Sequence, residues 1–146
     1  MANKIKVYTD GGARGNPGPA AIGVVIEAPG IGKKLYHEYI GEATNNNAEY
    51  QALILALKKI KQLFGSDKLQ EYQIECYADS ELMVKQLNGE YKVREPDIQK
   101  FFVEVWNLKL DLAVPISFHH IPRALNTEAD ELVNQALDQE ASKLAI

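Results

Sequence analysis

The sequence has a single cysteine, Cys76, among 146 residues, which rules out a disulfide within the chain and points to a reducing compartment. No apolar run approaches the roughly 20 residues that cross a bilayer, and the opening MANKIKVYTD lacks the apolar centre of a secretion signal. Both absences favour a cytoplasmic protein with no membrane partner. Basic residues are not in excess either: 16 Lys and Arg stand against 20 Asp and Glu, for a net charge of −4. That balance disfavours tight, non-specific binding of polyanions, which rests on cations that displace counterions. The glycine-rich GGARGNPG contains neither G-x-G-x-x-G nor G-x-x-x-x-G-K-[ST] and runs into a strand, so a Rossmann or P-loop site has no support. No Cys–His spacing suits zinc, and no Ser/His/Asp or Cys/His arrangement stands out for nucleophilic catalysis. Internal repeats, low-complexity stretches and interdomain linkers are lacking too, as expected for one domain over residues 1–146.

What is present is a composition 46% hydrophobic and 25% charged, enough apolar material to build a core without staples. Ile5 to Thr9, Ala20 to Ala28 and Leu35 to Ile40 read as three strands joined by short turns, an antiparallel meander. From Ala48 the period changes. Leu53, Leu57, Ile60 and Phe64 recur at helical spacing as far as Gly65. Tyr72 to Ala78 reads as a fourth strand, Ser80 to Leu87 as a short helix, and Pro96 as the start of a helix carrying Ile98, Phe101, Phe102 and Val105. Ile116 to Ile121 reads as the fifth strand, and Thr127 to about Glu140 as the last helix. The order βββαβααβα predicts an α/β fold, a five-stranded mixed sheet with helices on its faces.

Four acids mark the ends of these elements: Asp10, Glu49, Asp79 and Asp130. An α/β fold gathers such positions, and carboxylates gathered together repel one another unless a cation sits among them. A pair of hard divalent cations held by carboxylates is a recurring device for cleaving phosphodiesters, and it inverts the local field of an acidic site. Three of the acids have a structural reading that is favoured when each is taken singly. Asn46 and Glu49 stand as in a capping arrangement, Asp79 suits an N-cap, and Thr127 with Asp130 fits T-x-x-[DE]. Capping cannot account for Asp10, which follows a strand and enters a glycine-rich loop. His119 and His120 are adjacent on a strand, so they face opposite ways and cannot share one site. Tyr50 and Trp106 read as core, and Cys76 as a small buried residue.

The segments TDGGARGNPGPAAIG, TNNNAEYQAL, YADSELMVKQLNG and HHIPRALNTEADELVNQAL, in this order, resemble those of type 1 ribonucleases H, from about Lys4 to Glu140. The resemblance implies a ribonuclease H-like fold with a core of about 4–140, acting as an endonuclease on the RNA strand of RNA/DNA hybrids and leaving 5′-phosphate and 3′-hydroxyl ends. It implies two Mg²⁺ ions, replaceable by Mn²⁺, one held by Asp10 and Asp130 and the other by Asp10, Glu49 and Asp79. By position, Gly11 and Asn16 match contacts to the RNA strand, Asn45 and Asn46 match groove contacts, and Thr44 matches a DNA-phosphate contact. Two features depart from the pattern. The loop PRALNTEAD lacks the histidine that many members carry, and Arg123 is the residue there suited to a phosphate. GEYKVRE replaces a basic, tryptophan-rich protrusion, leaving Lys92 and Arg94. A monomer with no obligatory protein partner is expected. Two alternatives stay open. One is another metal nuclease on this fold, a 3′ exonuclease or resolvase, against which TNNNAEYQAL argues. The other is a catalytically silent nucleic-acid-binding module, against which the full set of four acids argues.

Overall fold

The computed structural model describes residues 3–144. Strands β1 (Asn3–Ala13), β2 (Gly18–Ala28) and β3 (Gly32–Ala43) form the expected antiparallel meander. β4 (Tyr72–Ala78) joins β1 in parallel, and β5 (Ile116–His120) joins β4 in parallel, giving one sheet in the order β3-β2-β1-β4-β5. The helices are α1 (Asn45–Leu63), the single turn α2 (Ser66–Leu69), α3 (Glu81–Leu87), α4 (Pro96–Leu112) and α5 (Thr127–Leu144). The five-stranded mixed sheet with helices on its faces is thus the one the sequence pattern predicts. α2 was not expected, because four residues are too few to show a period.

One face of the sheet carries the main core. Ile5, Val7, Val24 and Ile26 pack there with Leu53, Leu57 and Ile60 of α1 and Val105 and Leu108 of α4. Each fully buried Leu or Ile contributes about 1.5–3 kcal/mol relative to exposure, so α1 is held chiefly by this stripe. The other face is covered by α5, through Ala21 against Val133 and Ala136 and Val25 against Ala129 and Leu132. Two glycines set how closely the helices approach. A side chain on Gly11 would overlap the backbone of Ala48 at the start of α1, and one on Gly23 would overlap the carbonyl of Ala129 in α5. Both helix starts are therefore drawn onto the sheet where β1 meets β2.

The structure corrects some boundaries. β1 runs on past Thr9 to Ala13, because β2 continues to pair with it: Asp10 opposite Gly23, Gly11 opposite Ile22. Asp10 therefore lies within a strand, not at its end. α1 starts at Asn45, since the hydroxyl of Thr44 accepts from the Asn47 N–H at 3.2 Å and closes the helix end there. Tyr50 is buried as expected, but Trp106 is 54% exposed, its ring covered only by the Lys109 ammonium at 5.2 Å. The last helix reaches Leu144, beyond Glu140. No helix among the described residues is long and apolar enough to cross a membrane.

Candidate active site

The parallel ladders end together. Thr9 opposite Ala78 is the last β1–β4 pair, and Ala78 opposite His120 the last β4–β5 pair. One residue further on, Asp10 and Asp79 stand just past the carboxyl ends of the parallel ladders, where open α/β sheets collect their ligands. Glu49 comes to the same place from α1 and Asp130 from the first turn of α5.

None of the three capping readings describes its acid. The α1 cap is Thr44, and Glu49 instead reaches back to β1, where its Oε1 accepts from the Gly11 N–H at 3.1 Å. The α3 cap is Ser80, whose Oγ accepts from the Met83 N–H at 3.2 Å, so Asp79 is left free. The Asp130 N–H donates to the Asn126 carbonyl at 3.1 Å, and its carboxylate is approached by Asn134 Nδ2 at 3.5 Å.

Asp10, Glu49 and Asp79 each offer a carboxylate oxygen within 4.8 Å of the others'. Asp130 lies outside that trio but within hydrogen-bonding reach of Asp10. All four line one open cleft of about 590 Å³. Asp10 and Glu49 are both only 7% exposed. Burial, reinforced by the charges of Asp79 and Asp130, pushes the Asp10 carboxyl from its ordinary 3.8 up to about 7. Burial and the neighbouring Asp10 charge hold Glu49 well above its usual range. Glu49 Oε2 is buried with no hydrogen-bond partner at all. The nearest cation is Arg123, whose Nε lies 3.6 Å from Asp79 Oδ2, but its side chain is 85% exposed and screened by water. A buried carboxylate oxygen with no hydrogen-bond partner among converging carboxylates fits a bound cation, and all-oxygen donors select hard divalent ions.

The residues matched to substrate contacts are distributed unevenly. Gly11, Asn45 and Asn46 line the cleft, whereas Thr44 and Asn16 do not. Asn16 and Asn45 instead interlock the loop and the helix start: the Asn45 N–H donates to Asn16 Oδ1 at 3.0 Å, and Asn45 Oδ1 accepts from the Ala13 N–H at 2.8 Å. Asn46 Oδ1 is buried and unpartnered. Arg14 lines the cleft but is bridged to Asp138 at 2.6 Å. His119 stacks on Tyr77 at 5.1 Å and His120 is exposed, so neither belongs to the acid cluster.

Two residues of the site escaped sequence reasoning. Asn126, 2% exposed, donates through Nδ2 to the Thr9 carbonyl at 2.9 Å and thereby pins the start of α5 beside Asp10. Ser80 frees Asp79 by capping α3 in its place. Both are helix-start residue types, Ser80 directly after Asp79 and Asn126 one turn before Asp130, which was the available signal.

Comparison with known proteins follows this geometry. A family model described as RNase H matches residues 2–138. The chain is 42% identical over 136 residues to a ribonuclease HI of Halobacterium salinarum, covering 92% of this chain and 65% of that protein. It is 38% identical over 144 residues to the bifunctional protein Rv2228c of Mycobacterium tuberculosis, covering 97% of this chain; the chain spans 38% of that protein's length. Among solved structures, LC11-RNase H1 in complex with an RNA/DNA hybrid is 48% identical with a TM-score of 0.87, covering 94% of this chain and 99% of that one.

Proposed function

The chain belongs to the ribonuclease H family, and from that premise we propose that it is an endonuclease that hydrolyses the RNA strand of RNA/DNA hybrids. The observation that carries this reading is the convergence of Asp10, Glu49 and Asp79 within 4.8 Å around a carboxylate oxygen with no partner. The neighbour solved with a hybrid supports the substrate class. On this reading residues 4–140 are the catalytic domain, working as a monomer. The free, buried Cys76, whose thiol burial pushes up to about 12, supports a reducing, cytoplasmic setting.

Asp10, Glu49 and Asp79 would hold one divalent ion, and Asp10 with Asp130 a second, Mg²⁺ or Mn²⁺ by the hardness of the donors. Such ions supply Lewis acidity at the phosphate and lower the pKa of an attacking water. The rest falls to the chain. The Gly11–Glu49 hydrogen bond fixes the Glu49 carboxylate against β1 before substrate arrives, so little reorganisation is left for the reaction. Asp130, half-buried at the α5 edge of the cleft, is placed to orient the water. Arg123 carries its guanidinium at the cleft mouth, where it can move from Asp79 to a phosphate oxygen. The backbone at Gly11 and the amides of Asn16, Asn45 and Asn46 supply donors and acceptors suited to 2′-hydroxyls, which distinguish RNA from DNA. Thr44, at the exposed start of α1, would meet a DNA phosphate.

The test is cleavage of a fluorescently labelled hybrid with and without Mg²⁺, beside duplex DNA and a duplex with one isolated ribonucleotide. The RNA strand of the hybrid should be cut, the DNA duplex left whole and the single ribonucleotide cut poorly. Efficient cutting of all-DNA duplex would overturn the substrate assignment.

A further inference from the structure

The cleft does not end at the carboxylates. A second groove of about 480 Å³ continues from it past Asn46 and Leu82, which line both, to Gln86 of α3 and to Tyr91, Lys92 and Arg94 on the segment between α3 and α4. That segment has no helix or strand of its own from Glu90 to Glu95, yet its backbone is held at Glu90, Tyr91, Lys92 and Val93. The N–H groups of Glu90 and Tyr91 donate to the Lys85 carbonyl at 2.8 and 3.2 Å. Gln86 Nε2 donates to the Lys92 carbonyl at 3.2 Å, and Gln99 Nε2 to the Val93 carbonyl at 3.0 Å. Gln86 is 6% exposed and accepts through Oε1 from the buried Tyr50 hydroxyl at 2.7 Å. A carbonyl oxygen cannot serve as donor to another, so this pair of bonds fixes which way the Gln86 amide points. A buried chain thus runs from Tyr50, the neighbour of Glu49 on α1, to the backbone of Lys92.

The charges explain why the placement matters. Glu90 and Glu95 line the same groove as Lys92 and Arg94, so the segment has no net charge with which to attract an anion. Among the described residues Lys92 and Arg94 form no ion pair, whereas Lys85 is taken by Glu81 and Arg123 by Asp79. Two uncommitted cations beside the half-exposed Tyr91 ring suit the phosphates and sugars of a nucleic-acid backbone, but only while the segment keeps the cations outward and the acids aside. On the reading above the RNA strand takes the carboxylates, which leaves the adjoining groove for its DNA complement. We propose that Gln86 and Gln99 are positioning residues, which hold the 90–95 segment so that Lys92 and Arg94 meet the DNA-strand phosphates of the hybrid. This rests on the hybrid-cleaving function proposed above.

The test is steady-state cleavage of a hybrid by the whole chain in Mg²⁺, comparing Gln99→Ala, Gln86→Met and Lys92→Ala/Arg94→Ala with wild type. Gln99 is exposed, so its variant carries the test even where Gln86→Met fails to fold. KM should rise roughly threefold to tenfold in each variant with kcat within about twofold, the mark of lost uniform binding. In the Lys92→Ala/Arg94→Ala background, Gln99→Ala should add nothing. Neutral methylphosphonates along the DNA strand should erase the difference between wild type and Gln99→Ala, while the same change in the RNA strand should leave it. A wild type that cuts the hybrid while Gln99→Ala keeps its KM, loses kcat instead, or adds fully to the double variant would overturn this inference alone. A wild type that leaves the hybrid uncut would overturn the functional reading and this one with it.

Discussion

Replacing Asp10 with asparagine should abolish activity and yet make the metal-free protein more stable. Burial and the nearby acids hold the Asp10 carboxyl at about 7 in the fold, against an ordinary 3.8. At about 1.36 kcal/mol per pH unit, keeping it ionised above pH 7 costs the folded state at most about 4 kcal/mol. The sign follows from the raised folded value. The stabilising contribution of protonated Asp10 is complete below about pH 4 and is lost as pH rises through about 7. Asparagine keeps the shape and is neutral throughout, so variant and wild type should melt together near pH 4 and separate by pH 8. Glu49 shares the strain, and removing Asp10 relieves only part of it; half of the ceiling, about 2 kcal/mol, is a fair expectation. For a chain of this length that is about 4–8 °C in Tm. Thermal melts followed by circular dichroism in EDTA, at pH 4 and pH 8, read it directly. Mg²⁺ should then raise the wild-type Tm and leave the variant nearly unmoved, because binding to the native state alone is what stabilises. An Asp10→Asn protein that melts well below wild type in EDTA at pH 8 would make Asp10 a structural residue and refute the reasoning.

Other outcomes follow from single contacts. Glu49→Gln keeps an acceptor for the Gly11 N–H, so it should fold normally while turnover in Mg²⁺ falls at least about a hundredfold; full activity in a rate assay would leave Glu49 only its bond to β1. Arg123→Ala, which removes an exposed cation at the cleft mouth, should lower the salt slope of hybrid binding in Ca²⁺ by about one and slow cleavage without abolishing it. An unchanged slope and rate would remove Arg123 from the substrate path. Gly23→Ala should lower Tm sharply, by about 2 kcal/mol or more in denaturant melts, because the new methyl overlaps the Ala129 carbonyl and must push α5 off the sheet. A Tm within a degree of wild type would show that α5 sits less tightly on β2 than this contact requires.

Element order was legible because it rests on period. The switch from the short, nearly continuous apolar run AAIGVVIEA to the Leu53, Leu57, Ile60 stripe separates strand from helix without tertiary information. The ends were less legible. Nothing local in GGARG states that β2 will keep pairing with it, so β1 appeared to stop at Thr9 when it runs to Ala13. Trp106 looked like core because its ring is large and its helix amphipathic, yet it stands on the solvent side of α4, where the Lys109 ammonium lies over its ring. At the site, the four acids could be named but not their local roles. Capping and metal binding ask for the same residue types at a helix start, and the choice was made by neighbours, Thr44 and Ser80, that take the caps themselves. Asn16 and Thr44 were matched as substrate contacts, while in the fold Asn16 holds the Asn45 N–H and Thr44 closes α1. The Asn16–Asn45 pair, formed across a loop and a strand pair, has no signature in sequence spacing.

The central claim is that the Asp10, Glu49 and Asp79 cluster makes this chain a metal-dependent nuclease for the RNA strand of a hybrid. The most direct test is one gel of a hybrid labelled separately on each strand, incubated with wild type and Asp10→Asn, in Mg²⁺ and in EDTA. Wild type in Mg²⁺ should convert the RNA label into internal fragments ending in 5′-phosphate and 3′-hydroxyl, leave the DNA label at full length, and do nothing in EDTA; Asp10→Asn should be inert in both. Cleavage that persists in EDTA or in Asp10→Asn, or a shortened DNA strand, would contradict the claim.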